Sequence, residues 1–366
     1  LYIHVPFCPV ICPYCSFYKL MWQPDKEALF VRHLLTEMAM YYKRFGAVNI
    51  DTIYFGGGTP NVLSADSFQQ IMGGIHRYFN VQSDIEFTME MNPGVRALDS
   101  LQGFVDMGVR RVSVGVQSFD ADVLAFYGRN HLVDDSIRFL DALGDCGIDN
   151  VSVDIIFGYK DHSIDQLKQS LDMVVERGIP HVSLYGLSIE PGTPFERQKL
   201  TVDETVQYEQ YSFIQKTLVQ YGYEQYEVST FSLPKKKSVH NVKYLQFEPV
   251  IGIGPGAHSY FMGHRYQNIG DYKGYIHQLD DVLPTVFKPL DVTDFELYLA
   301  TRLRYFQPIF QDDIMRLFGV DGFSQLLPKL TEFSTMGWIE LGNDWFMISD
   351  MGCVVLDELL GHLVIT

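Results

Sequence analysis

Ile3-His-Val-Pro-Phe-Cys8-Pro-Val-Ile-Cys12-Pro-Tyr-Cys15 gathers three of the chain's five cysteines into eight residues, directly after the first predicted strand. Thiolates separated by three and then two residues can converge on one side of a tight loop, and soft sulfur ligands at that density select zinc or an iron–sulfur cluster. A structural zinc site closes with four ligands, whereas a cubane held by three cysteines leaves one iron open for chemistry. Zinc with His4 or a distant cysteine as fourth ligand stands as the alternative. Disulfides do not fit, because three crowded thiols cannot pair evenly and no secretory signal precedes them. Cys146 and Cys353 have no cysteine neighbour and sit in apolar helical patterns, so both read as buried free thiols.

The chain has 366 residues with 47% apolar content, enough for one large domain and a small one. No run approaches the roughly 20 apolar residues of a membrane span. The expectation is therefore a cytoplasmic protein without stable membrane insertion, its thiols kept reduced. The first residue is Leu1, so a few upstream residues are expected. A net charge of −17 opposes a nucleic-acid surface, and the basic run Lys235 to Lys237 reads as a solvated loop.

In the first two thirds, short β-branched or aromatic runs alternate with longer amphipathic segments. Strands are predicted at 1–5, 52–55, 86–91, 111–116, 150–156, 181–185 and 223–226, and helices at 26–44, 65–78, 134–146, 164–177 and 205–221. Such alternation predicts an α/β fold with a parallel sheet, an incomplete barrel of about six βα units. In such folds ligands bind at the carboxyl ends of the strands. The cysteine loop belongs on that face, and so do Gly56-Gly-Gly-Thr-Pro60, Glu90-Met-Asn-Pro93, Gln117-Ser118 and Asp154. Glycines let backbone approach a ligand, Glu90 and Asp154 can accept bonds from an ammonium or ribose hydroxyls, and Gln117 both donates and accepts.

Taken together, these motifs resemble the radical S-adenosylmethionine (SAM) superfamily, in its branch containing oxygen-independent coproporphyrinogen III oxidase. The resemblance covers essentially the whole chain. It rests on Tyr2-Ile-His-Val-Pro-Phe-Cys8, Phe55-Gly-Gly-Gly-Thr-Pro60, Gly115-Val-Gln-Ser-Phe119, Arg129, Asp154-Ile-Ile-Phe-Gly158 and Gly252-Ile-Gly-Pro-Gly-Ala-His-Ser259. It implies a (β/α)6 radical SAM barrel with a [4Fe-4S] cluster on Cys8, Cys12 and Cys15 and SAM chelated to the open iron. Tyr2, Gly57, Gly58, Thr59, Glu90, Gln117, Arg129 and Asp154 would line the SAM site, and an electron donor would reduce the cluster so that it cleaves SAM to methionine and a 5′-deoxyadenosyl radical.

Two details separate activities within the branch. The oxidases carry a further cysteine two residues after the third ligand, where this chain has Phe17, and an N-terminal extension that is expected to be absent here. Conversely, His240-Asn241-Val-Lys-Tyr244 matches the His-Asn-x-x-Tyr motif of the branch's HemW-type haem chaperones. The resemblance thus implies haem as cargo, bound at His240, Asn241 and Tyr244, and haem-accepting respiratory proteins as partners. The alternatives are the coproporphyrinogen oxidase itself and a radical SAM haem-degrading methyltransferase.

Domains are expected at 1–230 for the barrel, 231–289 for a linking segment carrying the His-Asn-x-x-Tyr and Gly252–Ser259 motifs, and 290–366 for a small α+β unit. In the last, helices at 294–305, 311–318 and 323–335 followed by a hairpin at 338–348 predict a winged-helix-like domain. From Asp291 onward twelve acidic residues face four basic ones, which argues against nucleic acid and for a cap or protein-docking role.

Overall fold

Arg111-Val-Ser-Val-Gly-Val-Gln117 and Asn150-Val-Ser-Val-Asp154 alternate polar and apolar residues, and a strand places alternate side chains on opposite faces. The computed structural model, which describes residues 1–159, 161–281, 294–318 and 322–363, turns this alternation into the wall of a barrel. Strands Tyr2–Val5 (β1), Val48–Gly57 (β2), Phe79–Met91 (β3), Arg111–Gln117 (β4), Asn150–Phe157 (β5) and His181–Gly186 (β6) run parallel. Glu224–Glu227 (β7), Thr230–Ser232 (β8) and Gly252–Ile253 (β9) complete the sheet. Among the described residues it has nine strands, ordered β9-β1-β2-β3-β4-β5-β6-β8-β7. β9 joins parallel to β1, whereas β8 and β7 add antiparallel at the other edge.

Register explains the polarity. Ile3, Phe55, Met89, Val112 and Val151 form one outward row, buried in the main hydrophobic core. The inward rows are polar. Tyr2, Tyr54, Thr88, Arg111 and Asn150 share one level, and Glu90, Ser113, Ser152 and His181 share the next toward the strand ends. The lumen is therefore built to hold polar groups, unlike the apolar filling of a closed eight-stranded barrel.

Helices Pro24–Phe45 (α1), Ala65–Tyr78 (α2), Val95–Asp106 (α3), Val133–Asp145 (α4), Ile164–Glu176 (α5) and Glu204–Gln220 (α6) connect the strands and cover the outer face. Their starts follow local chemistry. α1 opens on a proline with Asp25 and Glu27 in its first turn, and α5 begins at Ser163, which forms a reciprocal capping box with Gln166.

The segment expected to link two domains is instead part of the barrel. β8 spans the expected boundary at 230, β9 extends the parallel sheet, and helix Val239–Leu245 (α7) packs against β2. A short hairpin, His258–Phe261 with His264–Gln267, and helix Tyr272–Asp281 follow. The expected boundary at 290 lies outside the described residues. Beyond it come helix Asp294–Arg302, strand Ile309–Phe310, helices Gln311–Phe318 and Gly322–Thr335, and the hairpin Ile339–Leu341 with Trp345–Ile348. That order is the winged-helix arrangement the sequence predicts. This unit docks on the barrel through Val228 N–H to Arg304 O at 3.1 Å and through Tyr211 Oη, 3.1 Å from Cys353 Sγ. No described helix is long and apolar enough to cross a membrane.

Candidate functional site

The cysteine loop folds over the end of β2, and two glycines make that approach feasible. A Cβ on Gly58 would stand 2.7 Å from Phe7 O and 3.0 Å from Cys8 Sγ. Gly57 has φ +109°, and a Cβ there would stand 2.6 Å from the His4 ring. Cys8, Cys12 and Cys15 thus border a cavity of about 380 Å³ at the carboxyl ends of the strands. Gly57, Gly58, Thr59, Glu90, Gln117, Arg129 and Asp154 line the same cavity.

A chain of hydrogen bonds ties two of the thiols together. Thr59 Oγ1 donates to Cys8 Sγ at 3.5 Å and accepts from Asn92 Nδ2 at 2.9 Å. Asn92 Oδ1 accepts from Arg129 Nη2 at 2.6 Å, and Arg129 Nη1 reaches Cys12 Sγ at 3.4 Å. Arg129 is further held by Gly115 O at 2.7 Å. Asn92 completes this circuit, yet it was not among the expected site residues. Its signal was the Asn-Pro pair at a strand end.

Burial shapes the electrostatics. It pushes the Cys8 thiol up to about 11, against the lowering bond from Thr59. Glu90 is pushed up to about 7 by burial and by Asp154 nearby, although Tyr54 Oη and Gly57 N–H donate to it at 2.9 and 3.0 Å. Asp154, bonded by Ser113 Oγ at 3.2 Å, is pushed up to about 6 by burial. Gln117 sits at φ 71° where the pairing of β4 with β5 slips by a bulge. A non-glycine residue in that region is strained by roughly 1–2 kcal/mol, a cost tolerated at sites that must aim a side chain.

The donor set fits a multi-iron cluster better than zinc. His4 is engaged at both nitrogens, with Tyr2 Oη at 3.0 Å and Tyr18 O at 3.1 Å. Neither remaining cysteine lines the cavity: Cys353 is buried against Tyr211, and Cys146, only half-buried, ends α4. Arg129 adds a cation beside Cys12 where a thiolate-rich cluster would place negative charge.

Four expected ligand residues lie elsewhere. Tyr2 sits deeper, packing its ring on Tyr54. His240, Asn241 and Tyr244 belong to α7 on the far side of that row. His240 is 1% exposed, with Nδ1 2.9 Å from Thr52 Oγ1 and Nε2 without a partner. Its ring stacks on Tyr54 and meets the edge of Tyr244 at 5.3 Å. Asn241 is tied by its backbone N–H to Ser238 Oγ at 3.3 Å. Glu86 holds the start of α7, accepting from the backbone N–H of Val239 and of His240, each at 2.9 Å.

Residues 2–174 match the radical SAM superfamily. The chain is 34% identical over 280 residues to the haem chaperone HemW of Lactococcus lactis, covering 75% of this chain and 73% of that one. It is 34% identical to HemW of Escherichia coli, over 70% and 69% of the two chains, and 28% identical to that of Haemophilus influenzae over 98% and 96%. Escherichia coli coproporphyrinogen III oxidase (HemN), a radical SAM enzyme, shares the fold with TM-score 0.86 at 19% identity, over 99% of this chain and 89% of its own. Residues 2–174 thus carry a radical SAM domain, and the chain belongs to the HemW family.

Proposed function

We propose that this chain takes up haem and delivers it to haem-accepting proteins in the cytoplasm, using a barrel that also holds a [4Fe-4S] cluster and SAM. The observation that carries this reading is His240. Its Nε2 is a neutral imidazole nitrogen with no protein partner, the donor type that haem iron takes. Burial drives its pKa well below the ordinary histidine range, so it stays unprotonated and ready to ligate. The HemW relatives, named haem chaperones, support haem as the cargo. Phe17, 69% exposed at the cavity mouth, stands where the oxidases place an additional thiol.

Cys8, Cys12 and Cys15 would hold the cluster, with Thr59, Asn92 and Arg129 fixing the loop. Glu90, Asp154 and Gln117 would orient SAM through its ammonium and hydroxyl groups, while Arg129 offers a cation to its carboxylate. When bound and reduced by a donor protein, the cluster supplies an electron to the SAM sulfonium. His240 is closed to solvent, so haem uptake requires α7 to part from the barrel, against the three hydrogen bonds that Glu86 accepts from Ser238 Oγ and from the backbone N–H of Val239 and His240.

Anaerobic haem titration of the reconstituted protein tests the reading. A saturable Soret change, diminished in His240→Ala, is the expected result. Absence of binding, or binding indifferent to that substitution, overturns it.

A further inference from the structure

Two cationic side chains line the cavity bordered by Cys8, Cys12 and Cys15: Arg129 and Lys19. Arg129 is committed to Asn92 Oδ1, Gly115 O and Cys12 Sγ. Lys19 follows the last cysteine by one short turn of chain, and its side chain folds back along the loop. There its ammonium donates to Cys15 O and, at 3.0 Å, to Phe17 O. Both carbonyls belong to the partly exposed arm of the loop, where a neutral donor or water would satisfy them equally well. The hydrogen bonds alone therefore do not call for a positive charge.

Its position does. A lysine ammonium is a compact point charge, and the field of this one reaches Cys8 Sγ on the opposite arm of the loop. A cluster on three thiolates is anionic and gains a further negative charge on reduction. A fixed cation beside it stabilises the reduced form and raises the potential, since net charge and hydrogen bonding around the sulfurs are the protein's levers. The surroundings otherwise pull the other way. Glu90, Asp154 and Glu190 line the same cavity, and the chain carries a net charge of −17. In the proposed arrangement the SAM carboxylate answers the charge of Arg129. Lys19 is held by neutral carbonyls, so its charge stays available to the cluster.

We propose that Lys19 sets the reduction potential of the cluster, its ammonium pinned by Cys15 O and Phe17 O so that it favours the one-electron-reduced form. The electron comes from the donor protein, and no bond forms or breaks at Lys19. The proposal rests on the reading that Cys8, Cys12 and Cys15 hold the cluster.

Anaerobic redox titration of the reconstituted protein without SAM tests it, following the EPR signal of the reduced cluster and the visible absorbance. Lys19→Gln keeps a donor for the carbonyls and removes the charge. With iron and sulfide as in the wild type, its midpoint should fall. At a fixed potential the ratio of reduced to oxidised cluster should drop about tenfold, or about 59 mV for one electron. Lys19→Arg keeps the charge and should stay close to the wild type. Equal midpoints for the wild type and Lys19→Gln overturn the proposal. So does a Lys19→Arg midpoint as low as that of Lys19→Gln, which makes geometry rather than charge the cause. A folded Lys19→Gln protein that cannot hold the cluster also overturns it, because Lys19 is then a loop anchor. Should Lys19→Gln fail to fold, Lys19→Met is read in its place by the same criteria. A wild type that assembles no cluster overturns the cluster assignment and the proposal with it, whereas an intact cluster with an unmoved midpoint overturns the proposal alone.

Discussion

The imidazole of His240 stacks on Tyr54 with centroids 4.9 Å apart and planes 25° apart, and the hydroxyl of that same tyrosine donates to Glu90. One aromatic ring therefore stands between the nitrogen proposed for haem iron and a carboxylate that lines the cluster cavity. Because this arrangement buries His240, haem cannot reach Nε2 until α7 moves. Association should become independent of haem concentration at high haem, at the rate of that opening. Glu86→Gln removes the charge from the bonds that hold α7 and should raise the plateau several-fold. Stopped-flow Soret kinetics check this, and a rate that climbs linearly throughout would contradict it.

SAM affinity should depend on pH. Glu90 titrates near 7 and Asp154 near 6, both raised by burial. Each carboxylate attracts the cationic ligand only when ionised, so affinity should rise from pH 6 to pH 8 and be lost as pH falls through those values. The slope is at most about tenfold per unit for each proton coupled to binding. Anaerobic calorimetry across this range should show it, and Glu90→Gln should flatten it.

Stability should move the opposite way with pH near Glu37. This fully buried carboxylate on α1 accepts from Gly254 N–H at 3.0 Å and from Asn268 Nδ2 and Tyr275 Oη, each at 2.6 Å. Burial raises it from 4.5 to about 7. Between those values the folded chain binds more protons than the unfolded one, so its stability falls as pH rises through the window, by up to about 3 kcal/mol. Denaturant unfolding at pH 5 and pH 7.5 would reveal the difference, and Glu37→Gln should reduce it.

The parts of the fold and site visible in the sequence are those written in local patterns. The βα alternation, the cysteine spacing and the strand-end Gly57, Glu90, Gln117 and Asp154 each announce themselves within a few residues. What escaped depends on register. Nothing local to Arg111 shows that it shares a level with Thr88 and Asn150, although the alternation in Arg111–Gln117 and Asn150–Asp154 was the sign of a polar lumen. Tyr54 was hidden for the same reason. β9 was missed because two residues, Gly252 and Ile253, carry too little periodicity to read as a strand.

Cluster loss should follow from a change that touches no sulfur. Gly58→Ala forces its new methyl against Phe7 O and Cys8 Sγ, so anaerobic reconstitution should give markedly less bound iron than in the wild type. Cys12→Ala should abolish cluster and SAM cleavage together, since two thiolates cannot hold the cubane. Iron and sulfide analysis with SAM-cleavage assays checks both. A Cys12→Ala protein retaining either property would overturn the ligand assignment.

The most direct test offers the anaerobically reconstituted protein haem and coproporphyrinogen III in parallel, with SAM and reductant, and follows the products by mass spectrometry and Soret absorbance. The account predicts saturable haem binding that depends on His240, intact haem, and no conversion of coproporphyrinogen III. SAM-dependent formation of protoporphyrinogen IX, or opening of haem to a linear tetrapyrrole, would contradict it.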